Sequence, residues 1–161
     1  MLLFRSFIFS VLILAGTILN AQDLHSLIGK KLESSEVKEF IDLNNITLLY
    51  NDVGGFMGKA FVSKDKGIWI GSNNYDEIDL IQLISKSEGF KPYKGKLPYY
   101  LDFNDNLMEV KSKIGIPDEQ MISDPSSTVS WSHLGLTIIY STEELKKGID
   151  RIVCVSISEK K

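Results

Sequence analysis

An α+β fold built from two tandem units follows from three observations. The run Glu36-Val37-Lys38-Glu39-Phe40-Ile41 returns as Glu109-Val110-Lys111-Ser112-Lys113-Ile114. Each copy is followed by the same order of short strand-like runs, and in each a glycine turn, at Gly67 or Gly135, separates two of them. Matching positions keep nearly constant spacing: 73 from Val37 to Val110, 68 from Gly67 to Gly135, and 71 from Ile78-Asp79 to Ile149-Asp150. Loop insertions absorb differences of that size. Self-similarity of this kind marks a repeat architecture, in which each unit buries its apolar face against its neighbour. Each unit is expected to pack one or two helices on a short antiparallel β-meander, with units at 22–88 and 99–161 and a joining loop at 89–98.

Residues 1–21 read as a signal peptide. Arg5 is the only charge, residues 7–19 are apolar apart from Ser10, Gly16 and Thr17, and Ala21 precedes the polar Gln22-Asp23. The apolar stretch is shorter than the ~20 residues that span a bilayer. No cysteine stands near the cut to carry a lipid, so no stable membrane anchor is expected after cleavage.

The first unit opens with a short helical segment at 23–28 and continues into a helix at about 35–43. Ser34 suits its N-cap, since a hydroxyl there accepts from a free amide of the first turn, and Glu36 suits the positive end of the dipole. Val37, Phe40 and Ile41 fall at i, i+3 and i+4 and give one apolar face. Asn44-Asn45 ends the helix. Strand-like runs follow at 46–50, 60–63, 68–70 and 78–84, and Lys64-Asp65-Lys66-Gly67 reads as a hairpin turn with glycine at a positive-φ position.

The loop at 89–98, rich in Gly, Pro, Lys and Tyr, is the best internal boundary. The second helix is expected at about 105–114, capped by Asn104 or Asn106, with Leu107, Val110, Lys111 and Ile114 on one stripe. Gly115 and Pro117 stop it, because glycine accepts the left-handed C′ conformation and proline cannot continue the helix. A polar loop at 123–127 precedes strand-like runs at 128–131, 136–141 and 149–157.

Loss of Arg5 leaves 17 cations against 21 acids, a formal charge of −4 with the two signs interspersed. Nucleic-acid binding requires a basic stripe and an anionic membrane surface a polybasic patch, and the chain has neither. Cys154 is the only cysteine, so no internal disulfide forms; it reads as a half-buried strand thiol. His25 and His133, 108 positions apart, lack metal-ligand spacing and read as surface or turn residues. The acid pairs Asp76-Glu77 and Glu143-Glu144 read as solvated turns. There is no G-x-S-x-G elbow, and Gly54-Gly55-Phe56-Met57-Gly58 lacks the Lys-Ser/Thr of a phosphate loop. Phe56 and Met57 are either part of a plain connection or an apolar contact displayed by that loop. Phe90, Tyr93, Tyr99 and Tyr100 cluster with Lys91, Lys94 and Lys96 around the joining loop. Two readings of these rings stand: a protein-contact surface, or the packed seam between the units. Trp131 reads as a core residue.

Lys96-Leu97-Pro98-Tyr99-Tyr100-Leu101-Asp102-Phe103, Glu109-Val110, Ile114-Gly115-Ile116-Pro117, Trp131 and Gly135-Leu136-Thr137-Ile138 together resemble a bacterial exported family. They are similar to the helix-plus-meander domains of SmpA/OmlA-like envelope proteins and of β-lactamase-inhibitor-type proteins, the latter carrying two units in tandem. The resemblance covers the second unit well and the first loosely. It implies a non-enzymatic, protein-binding role in the envelope, without a lipobox cysteine and without matching any individual inhibitor contact.

The expectation is an exported, non-catalytic protein-binding module, periplasmic or secreted, possessing no cofactor, no metal and no nucleic-acid partner, and of inhibitor or immunity type. Its partner is another protein, and its candidate contact residues are Phe56, Met57, Tyr93, Tyr99 and Tyr100, with the sheet's exposed face as a further candidate surface. The alternatives are a small exported hydrolase with an acid-based site and a structural envelope component.

Overall fold

The β-branched runs pair into one eight-stranded antiparallel sheet in the computed structural model, which describes residues 24–50, 58–123, 126–141 and 151–160. The strands are β1 (Thr47–Tyr50), β2 (Ala60–Ser63), β3 (Ile68–Ser72), β4 (Ile78–Ile84), β5 (Glu119–Ile122), β6 (Ser126–Trp131), β7 (Leu136–Ser141) and β8 (Ile152–Ser158). Helix α1 (Ser35–Leu43) precedes the first four strands, and α2 (Leu107–Ile114) precedes the last four. The fold is therefore α+β, as the strand and helix patterns require.

Strand order across the sheet is β1-β2-β3-β4-β8-β7-β6-β5, so β4 and β8 meet at the centre and each group of four runs outward in sequence order reversed. The β2–β3 and β6–β7 hairpins share a register, with Ser63 opposite Ile68 and Trp131 opposite Leu136. Each is closed by four residues ending in glycine, Gly67 at φ +67° and Gly135 at φ +60°, a region that strains any residue with a β-carbon. At the centre, Gln82 lies opposite Ser156.

Strand side chains alternate between two faces. One face carries Ile70, Ile81, Leu83, Val129, Trp131, Leu136, Ile138, Val155 and Ile157, which join Val37 and Phe40 of α1 and Val110 of α2 in one core. Both helices thus cover the same face, and their apolar stripes are the ones that the i, i+3, i+4 spacing marks out. Trp131 is fully buried there, and its indole Nε1 donates to the Gly115 carbonyl at 3.1 Å, tying β6 to the end of α2. The opposite face bears a row running Val62, Trp69, Gln82, Ser156, Thr137, Ser130.

The structure departs from expectation at several places. β5 is absent from the expected strands, because Glu119-Gln120-Met121-Ile122 has little β-branched character; it forms as an edge strand by pairing with β6. β6 likewise begins at Ser126, inside the expected polar loop. α2 starts at Leu107 and not at 105, because Asn106 makes a capping box: its Oδ1 accepts from the amides of Met108 and Glu109 at 2.9 and 3.0 Å, and Glu109 accepts from the Asn106 amide at 2.8 Å. Ser34 occupies the N-cap position of α1, but its hydroxyl makes no capping bond, while Glu36 turns to Lys30 at 2.9 Å. The first helical segment shrinks to a 3-10 turn at His25–Leu27. β8 begins at Ile152, and the Ile149-Asp150 anchor lies outside the described residues, as do Glu143-Glu144 and the 1–21 segment.

Candidate functional site

The chain leaves the sheet after Ile84 and folds back along the β2–β3 hairpin. The Tyr93 amide donates to the Ile84 carbonyl and the Lys91 amide to the Lys64 carbonyl, both at 2.8 Å, and Lys91 pairs with Asp65 at 2.7 Å. Gly67 makes this approach possible: a β-carbon there would stand 2.5 Å from the Lys91 carbonyl oxygen and 2.5 Å from the Tyr93 nitrogen. The Tyr93 ring folds over Gly95 and packs against the core. Burial pushes its phenol pKa above the ordinary tyrosine value.

A 3-10 turn at Pro98–Tyr100 follows, and both tyrosines in it adopt left-handed backbone, Tyr99 at φ +55° and Tyr100 at φ +58°. Such conformations cost roughly 1–2 kcal/mol per residue with a β-carbon and persist only when their surroundings hold them. Here Lys113 of α2 holds Tyr100. Its Nζ donates to the Tyr100 carbonyl at 3.0 Å and to Asp105 at 2.8 and 2.6 Å, and Asp105 also accepts from the Asp102 amide at 2.7 Å. The buried Asp105 carboxylate therefore fixes both the lysine and the start of the next turn.

The three tyrosines go different ways. Tyr99 turns inward, donates to the Leu134 carbonyl at 3.3 Å and meets His25 edge to face, the ring centroids 6.1 Å apart and the planes at 69°. Tyr100 points into solvent and is 87% exposed. Tyr93 and Tyr100 line one cleft of about 640 Å³ between residues 93–97 and 100–104, together with Lys94, Lys96, Asp102 and Phe103. Asp102 is already engaged, its Oδ1 accepting from the Asn104 amide and side chain, each at 2.8 Å. Tyr93 and Tyr99 thus pack against the core, and Tyr100 is displayed. Phe56 and Met57 lie outside the described residues.

His25 sits in a 3-10 turn, in keeping with the surface-or-turn expectation, but it is half-buried. Its Nε2 is buried without a hydrogen-bond partner, and burial, with Lys160 nearby, holds its pKa below the usual histidine value. His133 is exposed, 3.3 Å from Asp118. Asp76 and Glu77 are a turn, as expected, but each carries an ion pair, to Lys59 at 2.8 Å and to Lys31 at 3.1 Å. Cys154 lies in β8 and is more deeply buried than expected, with its thiol pKa pushed up to about 11.

Sequence reasoning missed the Asp105–Lys113 clamp, whose partners sit eight residues apart in a non-helical and a helical segment. It also missed the polar row on the face opposite α1 and α2, where Gln82 donates to the Ser156 hydroxyl at 3.2 Å and the Ser130 and Thr137 hydroxyls lie 3.0 Å apart. The alternating Ser and Thr of 126–137 was the available signal. Among the described residues no three His, Cys, Asp or Glu side chains group to hold a metal, and no helix is long and apolar enough to cross a membrane. The chain matches no family model, no characterised protein and no solved structure in sequence or fold comparison.

Proposed function

We propose that this protein is an exported, non-catalytic module that binds another protein in the bacterial cell envelope, in the periplasm or outside the cell, in the manner of an inhibitor or immunity protein. The observation that carries the reading is Tyr100. A large aromatic ring is held 87% exposed on left-handed backbone, beside a cleft, by a lysine that also pairs with the buried Asp105. Tyrosine supplies rigid contact area with a polar tip and is enriched where proteins bind each other. The signal-like residues 1–21 and the resemblance to envelope inhibitor domains point the same way. The test is binding of the isolated native partner by calorimetry: Tyr100→Ala weakens it at least tenfold with folding unchanged, and undiminished affinity rejects this surface.

The two halves are, on this reading, copies of one helix-plus-four-strand unit. Support comes from the mirrored strand order, from the shared hairpin register at a spacing of 68 positions, and from the matching positive-φ glycines. Grafting Lys64-Asp65-Lys66-Gly67 in place of Ser132-His133-Leu134-Gly135 tests it. Equivalent turns leave stability within about 1 kcal/mol, the central size of a single substitution's effect, whereas failure to fold contradicts equivalence.

A further inference from the structure

Charge in the cleft is unbalanced. Lys30, Lys31, Lys59, Lys91 and Lys113 each pair with a carboxylate within 3.1 Å. Lys94 and Lys96, both exposed and both lining the cleft, make no ion pair among the described residues. The one acid of the cleft, Asp102, spends an oxygen on Asn104. Two lysines without an ion pair thus line a cleft together with Leu97, Leu101, Phe103, Tyr93 and Tyr100. In a chain of net charge −3 this is a local reversal of sign.

We infer that the cleft recognises an acidic segment of the partner protein, a carboxylate-bearing residue next to an apolar or aromatic one. The inference rests on the protein-binding reading above and names the partner's chemistry. Each feature of the cleft answers one part of such a segment. The lysines attract and orient the carboxylates, the leucines and phenylalanine of the lining take the apolar neighbour, and the exposed Tyr100 offers its hydroxyl to the peptide backbone. A volume of about 640 Å³ is in the range of small-ligand sites and more than a lone inorganic anion fills. The lysines are flexible and exposed, so their contribution is to rate and selectivity more than to raw affinity, and it is screened by salt.

The probes are acetyl-Phe-Glu-Glu-Leu-amide, its Gln-Gln counterpart and inorganic phosphate, titrated into the ¹⁵N-labelled protein while amide shifts are followed. The expected result is movement of the amides of residues 93–104 with the acidic peptide at sub-millimolar Kd, about tenfold tighter than the glutamine peptide. That preference disappears in the Lys94→Gln/Lys96→Gln double variant and falls between 50 and 500 mM salt. Both substitutions are at exposed positions, and circular dichroism checks that the fold is kept. Equal affinity for the two peptides, no binding of either, shifts confined to other regions, or phosphate binding as tightly as the acidic peptide each overturns the inference. Self-association that the acidic peptide fails to compete away also overturns it, by making a second copy the occupant. A protein partner whose affinity depends on Tyr100 but ignores the lysine substitutions and salt removes the acidic preference and leaves the protein-binding proposal standing.

Discussion

Gly67 is where the sheet, the hairpin and the cleft segment meet, and replacing it by alanine separates two effects that glycine usually combines. The first is conformational. Gly67 stands at φ +67°, where a β-carbon costs about 1–2 kcal/mol, partly offset by about 0.4–1 kcal/mol from the lower entropy of the unfolded alanine chain. The second is crowding. The new carbon would stand 2.5 Å from the Lys91 oxygen and the Tyr93 nitrogen and 2.9 Å from the Ile84 oxygen, all backbone atoms that side-chain rotation cannot move. Overpacking of this kind adds about 1–3 kcal/mol. Gly89 supplies the control, at φ +78° with nothing within 4 Å of the position its β-carbon would take. Gly89→Ala therefore costs about 1 kcal/mol and Gly67→Ala about 2–4 kcal/mol. Urea unfolding followed by the fluorescence of Trp69 and Trp131 measures both. A difference between the two variants below about 0.5 kcal/mol refutes the close approach of residues 91–93 to the hairpin.

Three further outcomes follow from the same geometry. Asp105→Ala strands the Lys113 ammonium and frees the Asp102 amide, so it costs about 2–3 kcal/mol in urea unfolding, at the lower end for a partly buried pair because Lys113 is a third exposed; a loss under 1 kcal/mol contradicts the clamp. The pKa of His25 is lowered on folding, so the unfolded chain takes up a proton near pH 6.5 that the folded chain refuses until lower pH. Its contribution is complete above that pH and is lost as pH falls through 6.5 toward the folded value, and His25→Asn flattens the slope of the urea midpoint between pH 7.5 and 5.5; an unchanged slope rejects the assignment. Cys154, buried and with its thiol pKa near 11, resists a disulfide reagent at pH 8 in the native protein and reacts at once in urea; rapid native labelling contradicts its burial.

What was legible in the sequence was local. The apolar stripes of both helices, the Gly67 and Gly135 turns and the burial of Trp131 all follow from spacings of a few residues, and the structure has each of them. β5 was illegible because Glu119–Ile122 has no strand pattern of its own and exists by pairing with β6. The division among the tyrosines was illegible for a related reason. It depends on positive φ at Tyr99 and Tyr100, which no glycine announces, and on a lysine clamp from a helix that the turn itself precedes. The contact of His25 with Tyr99 was illegible because the two lie 74 positions apart. Local periodicity found the scaffold, and the candidate site is made of contacts between its parts.

The central claim is that Tyr100 and its cleft meet another protein. Placing the photo-crosslinking residue p-benzoylphenylalanine at position 100, and separately at the also exposed Tyr75, tests it in living cells. One discrete crosslinked protein is expected at position 100, absent at position 75 and weakened by Lys94→Gln/Lys96→Gln. No adduct at position 100, or the same adducts at both positions, would contradict it.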